Sequence, residues 1–142
     1  MRLVALRAVA RVVSATVNAP SLADDAPANS AAMSHGWQFA EQGGADLFRN
    51  VCAACHQPDA KGATGAASYP ALTDNKDLAS AEYLETLLFN GQRAMPPLGW
   101  MMSDQQVADV INYVRTHFGN DYHDLVSAAT VKAARPQSVS DP

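Results

Sequence analysis

The chain has 142 residues, 48% of them hydrophobic, with 10 basic and 14 acidic side chains and a formal net charge of -4. That size fits one compact domain, and the polar, Ala-rich ends make the folded part shorter than the whole. If residues 1–23 leave with Arg2, Arg7 and Arg11, seven basic residues face fourteen acidic ones, a net charge of -7; such a surface recruits neither nucleic acid nor anionic lipid but steers a partner with a basic face.

In chain order, the opening "MRLVALRAVARVVSATVNAPSLADDAPA" carries early arginines, Val/Ala/Leu-rich runs and small residues ending in "SLA" before Asp24. This is the pattern of an export signal over 1–23, and it predicts a periplasmic protein. Arg7 and Arg11 make the run too short and too charged to cross a bilayer, and no other segment has the apolar length, so no membrane span is expected. Residues 24–36, rich in Ala, Pro, Ser and Asn without periodicity, read as a flexible leader into a domain that starts near Trp37. A helix is predicted from Glu41 to Val51, with Leu47, Phe48 and Val51 on its apolar side, running straight into Cys52. Gly43 and Gly44 weaken its first turn and mark either a plain boundary or a close helix approach.

Between Asp59 and Asn75, Gly62, Gly65 and Pro70 argue for a long loop, which a compact domain tolerates when the loop wraps something. Ser80 caps a helix through Asn90, with Tyr83, Leu84, Leu87 and Leu88 on its apolar side and Gly91 suited to a left-handed terminus. After the "RAMPPLGWMM" loop, Ser103 and Gln106 form a capping-box pattern, followed by Val107, Val110, Ile111, Val114 and Phe118 at helical spacing. No segment alternates long enough for a strand. The fold class is therefore all-α, a few helices and long loops whose core needs a large apolar ligand to fill it. Residues 120–142 exceed what that core requires; within them "SAATVKAAR" is suited to a short helix on the domain or on another subunit, or to a loosely attached end.

Cys52 and Cys55 are the two cysteines of the chain, and His56 follows the second. A disulfide between them closes a tiny, strained loop; a thioredoxin-type dithiol needs a βαβ setting that the sequence lacks. Structural zinc needs a second ligand pair, and His35, His117 and His123 show no such pairing. The string C-x-x-C-H is also the attachment signature of a c-type haem, in which both thiols add to the vinyl groups and the histidine ligates iron. An iron so held needs a sixth ligand or an open site. Met95, between Ala94 and the stiffening pair Pro96-Pro97, is the leading candidate. Met33, Met101 and Met102 read as core filler, with Met101 the main competitor. His117, late in a capped helix, suits a surface or helix-end role.

Three motifs in order, "GADLFRNVCAACH", "YPAL" and "GQRAMPPLGWMMSDQQVADVINYVRTHFG", resemble a class I monohaem cytochrome c over roughly residues 37–119. The resemblance implies three to four helices and long loops wrapped around one covalent haem c, bound through Cys52 and Cys55, with His56 and Met95 as iron ligands. It also implies that the Pro70 carbonyl accepts a hydrogen bond from the distal ring nitrogen of His56, and that Arg93 or Trp100 reaches a haem propionate or lines the pocket.

The third motif looks most like small cytochrome subunits of periplasmic dehydrogenases. The implied function is single-electron transfer and not catalysis. Electrons would come from a flavin, quinone or molybdenum dehydrogenase and pass to a downstream cytochrome or oxidase. The alternatives are a freely diffusing shuttle, or a haem enzyme or gas sensor with an open sixth position. Residues 120–142 are then an extension suited to partner docking.

Overall fold

A computed structural model of the chain describes residues 37–137; the predicted signal and leader, with Met33 and His35, lie outside them. The helices are α1 (Gly44–Leu47), α2 (Ala53–His56), α3 (Ala81–Asn90), α4 (Asp104–Thr116) and α5 (Ala128–Ala134). A π-helical turn, Phe48–Cys52, joins α1 to α2 in one continuous helical run. The all-α expectation needs one amendment: β1 (Ala63–Thr64) pairs antiparallel with β2 (Ser68–Tyr69), Ala63 opposite Tyr69 and Thr64 opposite Ser68. Two residues per strand are too few for alternation to register in a sequence.

The first helical run starts later than predicted, at Gly44 instead of Glu41, and the reason lies in α4. Ser103 and Gln106 form the expected reciprocal cap, Gln106 N donating to Ser103 Oγ at 3.2 Å and Ser103 N to Gln106 Oε1 at 2.8 Å. The same Gln106 donates its Nε2 to the carbonyls of Phe39 and Glu41, both at 2.9 Å, while Phe39 N donates to Met101 O. Those carbonyls are thus engaged outside any helix, and Gly43, at φ 78°, turns the chain into α1. Gly44 then lies against α4: a Cβ there would overlap the Asp109 carbonyl and Tyr113 Cβ. Both sequence readings are realised: Gly43 and Gly44 mark the helix boundary, and Gly44 also permits the close approach of α4.

The core forms where these helices meet. Leu47, Val107 and Val131 are fully buried, Ile111 nearly so, and Phe48 packs its ring against Tyr113 and Phe118. Full burial of each such aliphatic side chain is worth about 1.5–3 kcal/mol. Helix α3 is capped as expected, Ser80 Oγ accepting from Tyr83 N at 3.1 Å. Its terminus differs: Gly91 has φ 66° but ψ 175°, an extended departure with positive φ instead of the left-handed cap.

Residues 120–135, set apart by sequence as an extension, pack onto the domain. Asn112 Nδ2 donates to Val126 O while its Oδ1 accepts from Val126 N, both at 2.8 Å, and α5 seats Val131 on the core. Arg115 is completely buried. Its guanidinium donates to the carbonyls of Leu78, Ala79 and Asp124 and to the Asp124 carboxylate at 2.6 Å, an arrangement in which each of its nitrogens has a partner to offset its desolvation.

Glu85 is the least comfortable buried group. Only 5% of it is exposed, its Oε1 has no hydrogen-bond partner, and burial together with the charge of Glu82 pushes its carboxyl above the ordinary value of 4.5. An acid whose pKa is raised by folding contributes fully below its unfolded value and loses stability as pH rises through the folded one. Glu85→Gln should therefore raise stability at pH 7 by about 1 kcal/mol, roughly 4–8 °C in Tm for a domain of this size, and bring little at pH 4; thermal melts at the two pH values check this.

A candidate haem site in an apolar cavity

The π-turn ends at Cys52, α2 carries Cys55 and His56, and Gln57, at φ 67°, stops the helix immediately after His56. Non-glycine residues rarely hold positive φ, and they cluster where surrounding structure over-determines them. Here Gln57 and the fully buried Ala60 turn the chain back: Gly62 N donates to His56 O, and Ala60 O accepts from both Leu72 N and Thr73 N. That pair of hydrogen bonds lays the 70–73 segment against the end of α2. Gly62 permits the approach, since a Cβ there would overlap the Tyr69 carbonyl and Pro70. As the family resemblance implied, His56 Nδ1 lies 2.9 Å from the Pro70 carbonyl. A carbonyl only accepts, so the bond fixes the tautomer with hydrogen on Nδ1 and leaves Nε2 free to ligate.

Met95 comes from elsewhere in the chain. Gln92 and Met95 exchange backbone hydrogen bonds, N to O at 3.0 and 2.9 Å, closing a tight turn in which Arg93 takes φ 54°. Gly91 gives that turn room, because its missing Cβ would meet Met95 O. Pro96 and Pro97 follow, with φ fixed by their rings.

Cys52, Cys55, His56 and Met95 all line a single cavity of about 520 Å³, in the size range of cofactor sites. Its walls are largely aliphatic, with Leu84, Leu87 and Leu88 from α3 and Val110, Ile111 and Val114 from α4. Among the described residues, Met95 is the methionine on this wall; Met102 is 97% buried in the core instead. His117 faces away, its Nδ1 at 2.9 Å from Tyr113 O and its ring stacked on Tyr113. Arg93 lines the cavity as expected, but Trp100 does not: its Nε1 donates to Phe89 O and its ring packs edge-on to Phe89, with 46% of the residue exposed.

The environment of Cys52 runs against a redox-active dithiol. Cys52 and Cys55 are not joined to each other, and burial, then the neighbouring Cys55, push the Cys52 thiol up to about 12. A redox-active dithiol needs the opposite shift. Among the described residues no three His, Cys, Asp or Glu side chains cluster as a metal cage would require. Two free thiols and an oriented imidazole on the wall of an apolar cavity fit a covalently attached, flat, apolar macrocycle.

Residues 39–114 match the family model described as "Cytochrome C oxidase, cbb3-type, subunit III". The chain belongs to this cytochrome c family. With Cys52, Cys55 and His56 in the C-x-x-C-H arrangement, this cytochrome c has the attachment site for one covalent haem c. Among curated proteins, it is 33% identical to the gluconate 2-dehydrogenase cytochrome c subunit of Pantoea cypripedii, over 66% of the chain and 24% of that protein. It is 35% identical to the fructose dehydrogenase cytochrome subunit of Gluconobacter japonicus, over 65% and 22%. It is 32% identical to the alcohol dehydrogenase (quinone) cytochrome c subunit of Gluconacetobacter polyoxogenes, over 65% and 22%. The cytochrome therefore spans less than a quarter of the length of these relatives.

Sequence reasoning missed the residues that hold the site from behind. Asn120 is 93% buried, donates to Leu72 O and Val114 O and accepts from Asn75 N, anchoring the 70–75 segment to the end of α4. It belongs to no motif; the turn "FGND" was its sole signal.

Proposed function

We propose that this chain carries single electrons through one haem c, with His56 and Met95 as axial ligands, as the cytochrome component of a periplasmic dehydrogenase. The observation that carries the reading is the convergence of Cys52, Cys55, His56 and Met95, from two separate segments, on one apolar cavity. When bound, the haem supplies the one-electron ferric/ferrous couple.

The chain's own residues determine how that couple behaves. Pro70 keeps the His56 ring oriented and strengthens it as a donor by accepting its Nδ1–H. The Met95 thioether favours the reduced state. The aliphatic walls from α3 and α4 exclude water, which penalises the additional positive charge of the ferric state in the same direction. Arg93, exposed at the cavity, is placed to pair with a propionate.

The similarity to cytochrome subunits of gluconate, fructose and alcohol dehydrogenases supports a dehydrogenase as donor, with a downstream cytochrome or oxidase as acceptor. No described helix is long and apolar enough to cross a membrane.

The test is isolation of the native protein from periplasm by gentle size-exclusion chromatography. Elution in a stoichiometric complex whose dehydrogenase substrate reduces the haem is the expected result. Elution alone, with no reduction by any co-purifying oxidoreductase, would replace the subunit reading with a diffusing shuttle. Rapid carbon monoxide binding by the ferrous form would point to an open sixth position and a sensor or enzyme.

A further inference from the structure

The loop that carries Met95 leaves α3 after Asn90 and returns to α4 at Asp104. Its two ends meet at one side chain from the far end of the chain. Arg135, just past α5, donates Nε to Asp104 Oδ1 at 2.7 Å, one terminal nitrogen to Gly99 O at 3.0 Å and the other to Met102 O at 3.0 Å. Its guanidinium carbon also lies 4.6 Å from the centre of the Phe89 ring. Phe89 belongs to the last turn of α3, before the loop; Gly99, Met102 and Asp104 follow Met95. The Trp100-to-Phe89 hydrogen bond spans the same gap.

We propose that Arg135 is a positioning residue for Met95, and that α5 is a strap that holds the methionine loop closed over the haem. The inference rests on Met95 being the sixth ligand. A planar guanidinium is suited to such a clasp, because one rigid fork satisfies three acceptors and an aromatic face, and the loop opens only when all are released together. The strap is itself anchored. Val131 is fully buried beneath α5 and Ser127 caps it, so Arg135 is held on a packed element and not on a free end.

The test compares Arg135→Ala, Arg135→Lys and Met95→Ala as matured holoproteins, with covalent haem confirmed by mass. The readouts are the weak red absorption of thioether-ligated ferric haem as temperature rises, the reduction potential, and the rate of carbon monoxide binding to the ferrous form. In Arg135→Ala the red band should fade well below the global unfolding temperature, the potential should fall, and carbon monoxide should bind at least tenfold faster. Arg135→Lys should be intermediate, since an ammonium meets Asp104 but not all three acceptors. A lower unfolding temperature with wild-type band, potential and carbon monoxide rate would make Arg135 purely structural and overturn the proposal. Should Arg135→Ala fail to fold, Arg135→Lys decides alone: a wild-type carbon monoxide rate overturns the strap. Met95→Ala separates the two failures, because a retained red band there removes the ligand assignment itself.

Discussion

Met95→Ala should leave the haem covalently attached, lower the reduction potential by something on the order of 0.1 V within the roughly 0.8 V span that axial ligands command, and open the iron to carbon monoxide. The two attachments are independent, which is why the effects separate. Cys52, Cys55 and His56 lie on a helical end closed by Gln57, Ala60, Gly62 and Pro70, none of which touches the 92–95 turn through a hydrogen bond. Under the proposed ligation, losing the thioether removes a ligand that prefers the reduced metal and admits water to an otherwise aliphatic wall; both changes favour the ferric state. Met101→Ala is the control, because Met101, although on the same loop, is not on the cavity wall. Redox titration and absorption spectroscopy of the two variants settle the assignment. A native potential in Met95→Ala with a lowered one in Met101→Ala would transfer the ligand role to Met101.

The parts of the fold legible in sequence were those fixed by local chemistry. The Ser103/Gln106 box, the Ser80 cap and the valines of α4 each act within four residues, and each is realised. The C-x-x-C-H string is similarly local, since one helical end sets the whole spacing. What could not be read was decided by distant partners. Gln106 is satisfied as a cap from sequence alone, yet its amide also engages Phe39 and Glu41, 67 and 65 residues away, and so delays the first helix. The π-turn that precedes α2 has no composition of its own, "FRNVC" being equally compatible with an ordinary helix. No role for Arg115 or Arg135 is legible in the sequence, and only the carbonyls of Leu78, Ala79, Gly99 and Met102, contributed by loops and short turns, make them structural hubs. Trp100 shows the converse. An aromatic on the methionine loop suggests a pocket wall, but its indole N–H requires an acceptor, and Phe89 O supplies one outside the cavity.

Gly44→Ala should destabilise the holoprotein by about 3 kcal/mol or more, the upper range for forcing extra volume into a packed interior, although the same exchange in an exposed helix stabilises by roughly 0.5–1 kcal/mol. The sign is decided by what the new methyl meets. At Gly44 it meets the backbone carbonyl of Asp109 and the Cβ of Tyr113, neither of which can swing away without moving α4. Helix α4 is itself fixed by its capping box, by Asn112 on Val126 and by the hydrogen bonds of Arg115, so the first helical run must yield. That run continues through the π-turn into Cys52, Cys55 and His56, while α4 supplies Val110, Ile111 and Val114 to the cavity wall. Displacement at the crossing is therefore transmitted to the haem-binding end, and a reduced yield of matured protein should accompany the lost stability. Gly43→Ala gives the contrast: nothing lies within 4 Å of its Cβ, and the cost is confined to its backbone, φ 78° with ψ 160°, about 1–3 kcal/mol. Denaturant unfolding of the ferric proteins compares the two directly. A Gly44→Ala variant as stable as the parent would mean that the two helices do not cross in contact at this residue.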